Sequence, residues 1–322
     1  MLEAAMMVLT GRPLRPVTEG ILIKKGETAA ALKAQIDRNN GFDVVEIRLT
    51  TQQKKITING HAKTAKALPG IIAVSVFSPM DLVLVQGSPQ ERRRFLDQET
   101  AAIDPSYIGL WQRYHRVLWQ KNIALAKGHG KSPEGRVWDE QLAFYGARLI
   151  TSRNRWLTLF RPILTEVYRK IAPKNKLTIE ISPSFTGAGS DNPETVERSL
   201  ADALTAQGAR TGRLAVGPHR DDLLLRIDGR SVRYASSQGE QRTAVLALRL
   251  AGHVLRRNHL GENPVFLLDD ALHELDSARQ ERLLEQLQDG SQVMITAHHS
   301  AGTGRIFRVA GGNIIEQDQQ EE

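Results

Sequence analysis

The sequence predicts an α/β fold, a mixed sheet with flanking helices, interrupted by an antiparallel helical arm. Three observations carry this prediction. Val265-Phe266-Leu267-Leu268-Asp269-Asp270 sets four apolar residues before two acids, the pattern of a parallel strand buried on both faces. Short alternating or apolar runs at 43–49, 55–59, 71–77, 176–182 and 293–296 read as further strands. From about 89 to 172 the apolar period becomes that of a helix. The head is therefore expected at 1–98 and 204–322, with the arm and a linker region at 99–203.

Leu2 to Leu9 reads as an apolar helix with no capping residue before it, closed by Thr10-Gly11-Arg12-Pro13, glycine then proline. Its uncapped start suggests a preceding strand and loop that the sequence does not contain. Residues 43–49 and 55–59 alternate like half-buried strands, with Asn59-Gly60 as a turn, and Ile71 to Phe77 reads as a more buried strand. Tyr107, Trp111, Tyr114 and Leu118 recur at helical spacing, as do Trp138, Leu142, Tyr145 and Leu149. The Lys127–Gly135 loop between them implies two antiparallel helices packed through aromatic stripes, with core packing favoured over base stacking. Residues 176–182 alternate, 184–194 form a polar loop, and 223–227 with 231–234 flank a hairpin turn at Asp228-Gly229. Thr243 onward reads as a helix with Ala244, Leu248, Ala251 and Leu255 on one face. Ser277 with Gln280 forms a capping box for a helix to about Leu287. Val293 to Thr296 is the next parallel strand, 306–309 pairs with 313–315, and residues 317–322 read as a tail.

The chemistry concentrates at two places. Asp269 and Asp270 stand at the C-terminal edge of a parallel strand, where open α/β sheets bind ligands. An aspartate there can hold Mg²⁺, and a second can orient or deprotonate a water. Upstream, Ser236-Ser237-Gln238-Gly239-Glu240-Gln241-Arg242 leads into a helix, with Ser237 at the N-cap position. A capping serine, free backbone N–H groups and a glycine permitting close approach suit a terminal phosphate. The order Ser-Gln-Gly-Glu-Gln, helix, acidic strand, Glu274-Leu275-Asp276 resembles the signature loop, Walker B strand and D-loop of ABC-type ATPase heads. The Gly-x-x-x-x-Gly-Lys-[Ser/Thr] loop that such heads need is absent. Gly128-His129-Gly130-Lys131-Ser132 ends correctly but has Leu125 in place of the first glycine, and reads as a flexible basic loop.

Further stretches identify the family that the chain resembles. Ser78-Pro79-Met80-Asp81-Leu82-Val83-Leu84-Val85-Gln86-Gly87-Ser88-Pro89-Gln90-Glu91-Arg92-Arg93-Arg94-Phe95-Leu96-Asp97 looks like the RecF family's own signature, and Gly217-Pro218-His219-Arg220-Asp221-Asp222 is similar to its second. Tyr114 to Asn122 is similar to part of that family's helical arm. The resemblance covers essentially the whole chain. It implies an SMC-like ABC ATPase that acts with ATP and Mg²⁺ as a DNA clamp in recombinational repair and replication restart, in the SOS response. It also implies an ATP-dependent homodimer that loads mediators, RecR and RecO, at junctions of single-stranded and gapped double-stranded DNA. In that scheme Asp269 holds Mg²⁺ and Asp270 orients the attacking water. Ser237, Gln238, Gly239 and Glu240 meet the terminal phosphate from the other subunit, and Asp276 crosses the interface. Asp270 is a methylene shorter than the glutamate usual in ABC transporters, so slow hydrolysis timing dimer release is expected. The switch position after strand 293–296 aligns most simply with Ala297, while His298 lies one step on.

Composition agrees. A chain of 322 residues with a net charge of +7 and no cysteine can bury a large core, favours an anionic partner and excludes disulfides and thiolate metal sites. The Met1–Leu9 run lacks a basic n-region and is too short to span a bilayer, so a cytoplasmic protein is expected. Arg92, Arg93, Arg94, Lys127 and Lys131 are candidate DNA contacts, with internal ion pairing as their alternative. Two classes of function stay open: an ATP-dependent DNA clamp, and a non-catalytic DNA-binding or recruitment protein that has lost nucleotide binding with the missing loop.

Overall fold

A computed structural model describes residues 1–15, 17–38, 41–130, 132–207, 213–261, 263–272, 275–287, 290–297, 304–311 and 313–317. The chain divides into two compact units, one of Met1–Pro79 with Glu262–Glu322 and one of Met80–Gly261. The first unit begins with α1 (Leu2–Thr10), β1 (Ala29–Arg38), β2 (Gly41–Thr50), β3 (Lys54–Ile58), β4 (His61–Lys63) and β5 (Val74–Phe77). The second contains α2 (Val83–Gln86), α3 (Pro89–Ile103), α4 (Tyr107–Ala126), α5 (Pro133–Ile171), β6 (Leu177–Ser182) and α6 (Pro193–Gln207). It continues through β7 (Asp222–Ile227), β8 (Arg230–Ser231), α7 (Val232–Ala235) and α8 (Gln238–Leu260). The chain returns to the first unit with β9 (Val265–Asp269), α9 (Ser277–Gln286), β10 (Val293–Thr296), β11 (Ile306–Ala310) and β12 (Asn313–Gln317).

In the first unit β9 lies between β10 and β5, parallel to both, and β1 to β4 form an antiparallel sheet. Phe266, Leu267 and Leu268 are fully buried, as a strand covered on both faces requires. The apolar helix α1 closes at Gly11, whose φ of 70° gives the left-handed C-cap. Its Leu2, Met7, Val8 and Leu9 share one core with Val45, Ile47 and Leu49 of β2 and with Val265 and Leu267 of β9. The strand expected over 71–77 is shorter: Leu68 and Ile71 are buried in the 3₁₀ turn before it, feeding the same core without joining the sheet. Strand β1 was not expected, because Ala-Ala-Ala-Leu-Lys-Ala-Gln favours helix. Its ten-residue antiparallel pairing with β2 overrides that preference.

In the second unit α4 and α5 pack antiparallel, joined through the expected loop, with Tyr107, Tyr114, Leu118, Leu142 and Leu149 in one core. Helix α6 completes that core with Val196, Leu200 and Leu204, and its first turn is capped by Asn192, which accepts from the Glu194 N–H at 2.8 Å. It falls where the sequence suggested only a linker. The hairpin turn forms as expected, with Asp228 and Gly229 both at positive φ, 50° and 79°. Its second strand ends after two residues, because Val232–Ala235 coil into α7 and Gln241 holds their carbonyls, its Nε2 donating to Val232 O at 3.1 Å. Among the described residues no helix is long and apolar enough to cross a membrane.

Candidate functional site

The acidic strand edge is built as the sequence implied, with one addition. Thr296 ends β10 directly beside Asp269 in the parallel register. Its hydroxyl donates to Asp269 Oδ1 at 2.7 Å and accepts from the Asp270 N–H at 3.0 Å. One oxygen thus fixes the rotation of the first acid and satisfies the backbone of the second. Asp270 adopts the left-handed conformation, φ 51°. The Asp269 carboxylate is 14% exposed, and its Oδ2 lies 3.5 Å from the Arg15 guanidinium. Thr296 escaped the sequence reading because its role depends on the register between two strands.

Helix α9 is capped differently from expectation. Asp276, not Ser277, is the N-cap of α9, its Oδ1 accepting from the Arg279 N–H at 2.9 Å. A carboxylate one residue earlier does the same work, so Ser277 becomes the first helical residue. Gln280 then donates back to the carbonyls of Leu272 and Leu275 at 2.8 and 3.0 Å, bracing the loop from beneath. His298 and Lys131 lie outside the described residues.

In the second unit, helix α8 starts at Gln238, so Gln238, Gly239 and Glu240 form its first turn rather than a loop before it. Ser237 and Glu240 close a capping box: Ser237 Oγ accepts from the Glu240 N–H at 3.3 Å, and Glu240 Oε2 accepts from the Ser237 N–H at 2.7 Å. Helix α8 is 23 residues long, and its exposed start presents the positive end of the macrodipole. Gln241, not among the candidates, accepts from Gln86 at 2.8 Å and so ties this turn to the segment before Gly87.

The basic candidates separate sharply. Arg92 is turned inward in a bidentate pair with Asp222, both contacts at 2.8 Å, and donates to Gly87 O at 3.0 Å. Arg93 donates to Asp221 O at 2.8 Å. Arg92 follows the internal alternative, since a buried guanidinium with all three nitrogens engaged has no face left for a phosphate, while half-buried Arg93 is tethered through one nitrogen only. Arg94 and Lys127 are exposed.

The second signature stretch, Gly217–Asp222, sits within the same charge cluster. Arg153, 3% exposed, reaches Asp97 at 2.7 Å, Pro218 O at 2.8 Å, the Tyr107 hydroxyl at 2.9 Å and Asp221 at 3.5 Å. Burial alone would lower its pKa, but Tyr107, Asp97 and Asp221 outweigh that and hold it charged. His219 Nε2 faces the Leu214 carbonyl at 3.3 Å and Nδ1 faces the Tyr114 hydroxyl at 2.7 Å. A carbonyl only accepts, so Nε2 carries the proton and Nδ1 accepts from Tyr114. Burial holds this imidazole neutral, with its pKa pushed down to about 4. Gly217 is required here: its φ is 118°, and a Cβ would strike the Tyr114 hydroxyl at 2.5 Å.

No family model matches the chain. Individual relatives do. The chain is 34% identical over 324 residues to the DNA replication and repair protein RecF of Desulforudis audaxviator, covering 98% of this chain and 89% of the relative. The RecF of Symbiobacterium thermophilum is 35% identical over 335 residues, covering 99% and 89%. A solved structure of the recombination mediator protein RecF with ATP, in the RecFOR pathway, superposes with a TM-score of 0.81 at 28% identity, covering 98% of this chain and 87% of that one. The Smc head domain of Pyrococcus furiosus shares the fold at a TM-score of 0.52 and 15% identity, covering 92% and 79%. The expected SMC-like ABC ATPase head fold is thus present, and the chain belongs to the RecF family.

Proposed function

We propose that the chain acts in DNA repair and recombination as an ATP-dependent DNA clamp that dimerises on nucleotide and loads recombination mediators, RecR and RecO, at single-strand/double-strand junctions. The observation that carries the reading is the acid pair at the end of β9, fixed by Thr296, in a chain that matches RecF proteins along almost its whole length. Mg²⁺ is bound by one or two carboxylates with phosphates and waters, not by an all-protein cage. Among the described residues no cluster of three metal-ligating side chains occurs, while Asp269 stands partly exposed with one oxygen already oriented, so the donor set fits Mg²⁺ held together with a nucleotide. Asp269 would hold the ion, which supplies charge neutralisation to the phosphates, and Asp270 would orient the attacking water. Ser237, Gln238, Gly239 and Glu240 of one copy would meet the terminal phosphate bound by the other, which requires the capping box to open. Asp276 would lie at the interface, and Arg94 and Lys127 are the surface cations offered to DNA.

The second reading, a DNA-binding or recruitment protein without catalysis, draws on the absence of a Gly-x-x-x-x-Gly-Lys-[Ser/Thr] loop from these 322 residues. Sedimentation with a non-hydrolysable ATP analogue and Mg²⁺ separates the two. The clamp reading expects the protein to dimerise on nucleotide, Ser237→Arg to abolish that shift and Asp269→Asn to weaken it. A protein that never dimerises yet binds DNA equally with and without nucleotide supports the second reading. Variants that dimerise like the parent overturn the signature and Walker B assignments.

A further inference from the structure

Helix α4 has two unlike faces. Its inner face buries Tyr107, Tyr114, Val117, Leu118 and Ala124. Its outward side carries Arg113, Arg116 and Trp119, all exposed, Trp119 at 65%, with Trp111 at its edge at 36%. Tryptophan rings are highly buried on average, and the Trp156 ring of α5 is fully buried. Trp119 instead leaves most of its ring in solvent, with Trp111 partly open further along the same helix.

Charge decides which partner. From Tyr107 to Ala126 the helix contains no Asp or Glu. Lys121 is committed inside, to Asp139 at 2.7 Å and to two carbonyls. Neither Arg113 nor Arg116 has a side-chain hydrogen bond or ion pair to another described residue, and Lys127 follows, exposed, just beyond the helix. Arg113, Arg116 and Trp119 are spaced by three residues, so they neighbour one another on the surface. Trp111 is held rigid: its ring stacks on His115 with centroids 3.9 Å apart, and its indole N–H donates to Asp97 at 3.1 Å. Trp119 stands eight residues further along, about 12 Å at the helical rise.

We infer that the outer face of α4 binds single-stranded nucleic acid, Trp119 and Trp111 stacking on unpaired bases while Arg113 and Arg116 contact phosphates. The inference rests on the DNA-binding reading and adds to it a defined place and a preference for unpaired bases. Paired bases hide their faces inside the duplex, so this surface distinguishes the single-stranded side of a junction.

The test titrates the full chain with oligo-dT, without nucleotide, following tryptophan emission and fluorescence anisotropy at two salt concentrations, with duplex DNA in parallel. Binding of oligo-dT should quench the emission. Trp119→Ala should weaken oligo-dT binding by about tenfold, Trp119→Phe should keep most of it, and neither should change duplex affinity. The Arg113→Gln/Arg116→Gln pair should flatten the dependence of log K on log salt by about 1.4 for single strands. A Trp119→Ala protein that binds oligo-dT like its parent overturns the inference, the more so if its sedimentation changes, which would assign the face to a protein partner. A parent that binds duplex but not oligo-dT also overturns it and leaves the DNA-binding reading standing. A parent that binds neither overturns both.

Discussion

The acid edge of β9 and the Arg153 cluster are both dense in charge, yet they are built on opposite terms. At the edge, the Thr296 hydroxyl orients the Asp269 carboxylate and the Asp270 backbone, Arg15 lies 3.5 Å from Asp269, and both acids remain partly open to solvent. In the cluster, Arg92, Asp97, Arg153, Asp221 and Asp222 consume one another, with Arg153 and Asp221 almost fully buried. A charged motif in a sequence therefore has two possible uses, and solvent access decides which. Charges that are mutually paired and desolvated hold the fold, and those that keep solvent access are available to a ligand.

The largest test of that contrast is Arg153→Met. Removing the guanidinium leaves the buried Asp221 carboxylate and Pro218 carbonyl, and the partly buried Asp97, without this cation, and should cost about 3–5 kcal/mol in urea unfolding. A loss below about 1 kcal/mol would show that the cluster is not structural.

His219 gives the cluster a pH dependence of its own. Its native pKa near 4 lies below the unfolded value near 6.5, so the unfolded chain takes up a proton that the native one refuses. This contribution is fully present above pH 6.5 and is lost as the pH falls towards 4, by up to about 1.4 kcal/mol per pH unit. His219→Gln should be less stable at neutral pH and should show a shallower loss across that window. An unchanged slope in pH-dependent unfolding would remove the imidazole from the account.

At the acid edge the effects are smaller. Thr296→Val keeps the shape of the side chain but strands the Asp270 N–H, for about 1–3 kcal/mol, while Thr296→Ser should restore it. Ser237→Ala removes half of the capping box and should cost about 1 kcal/mol. Thermal denaturation of both variants checks the order. A Ser237→Ala loss equal to that of Arg153→Met would erase the distinction between surface cap and buried cluster.

What the sequence revealed follows the same division. The buried β9, the Gly11 cap, the Asn59-Gly60 and Asp228-Gly229 turns and the capped start of α8 were legible because each depends on neighbours in sequence. Strand β1 was hidden by residues of helical propensity and appears only once β2 supplies the partner. Helix α6 was masked by the polar loop before it, although Val196, Leu200 and Leu204 recur at helical spacing. The fates of Arg92 and Arg94 could not be separated from a run of three arginines. They diverge because Asp222, 130 positions away, reaches only the first. Thr296 was overlooked for the same reason, since a strand register joins it to the acids.

The left-handed turn at Asp270 limits how this position can be varied. At φ 51° aspartate, asparagine and glycine are tolerated, whereas most other side chains meet the following carbonyl at a cost of about 1–2 kcal/mol. Asp270→Asn therefore changes the charge on an undisturbed backbone. Asp270→Glu lengthens the acid and also strains the turn that the Thr296 hydroxyl supports. On the proposed role of Asp270, a Glu variant would accordingly test geometry as much as reach, and a mutant series at this site needs glycine as its backbone control. The shorter carboxylate is thus the acid that this turn accommodates with the less strain.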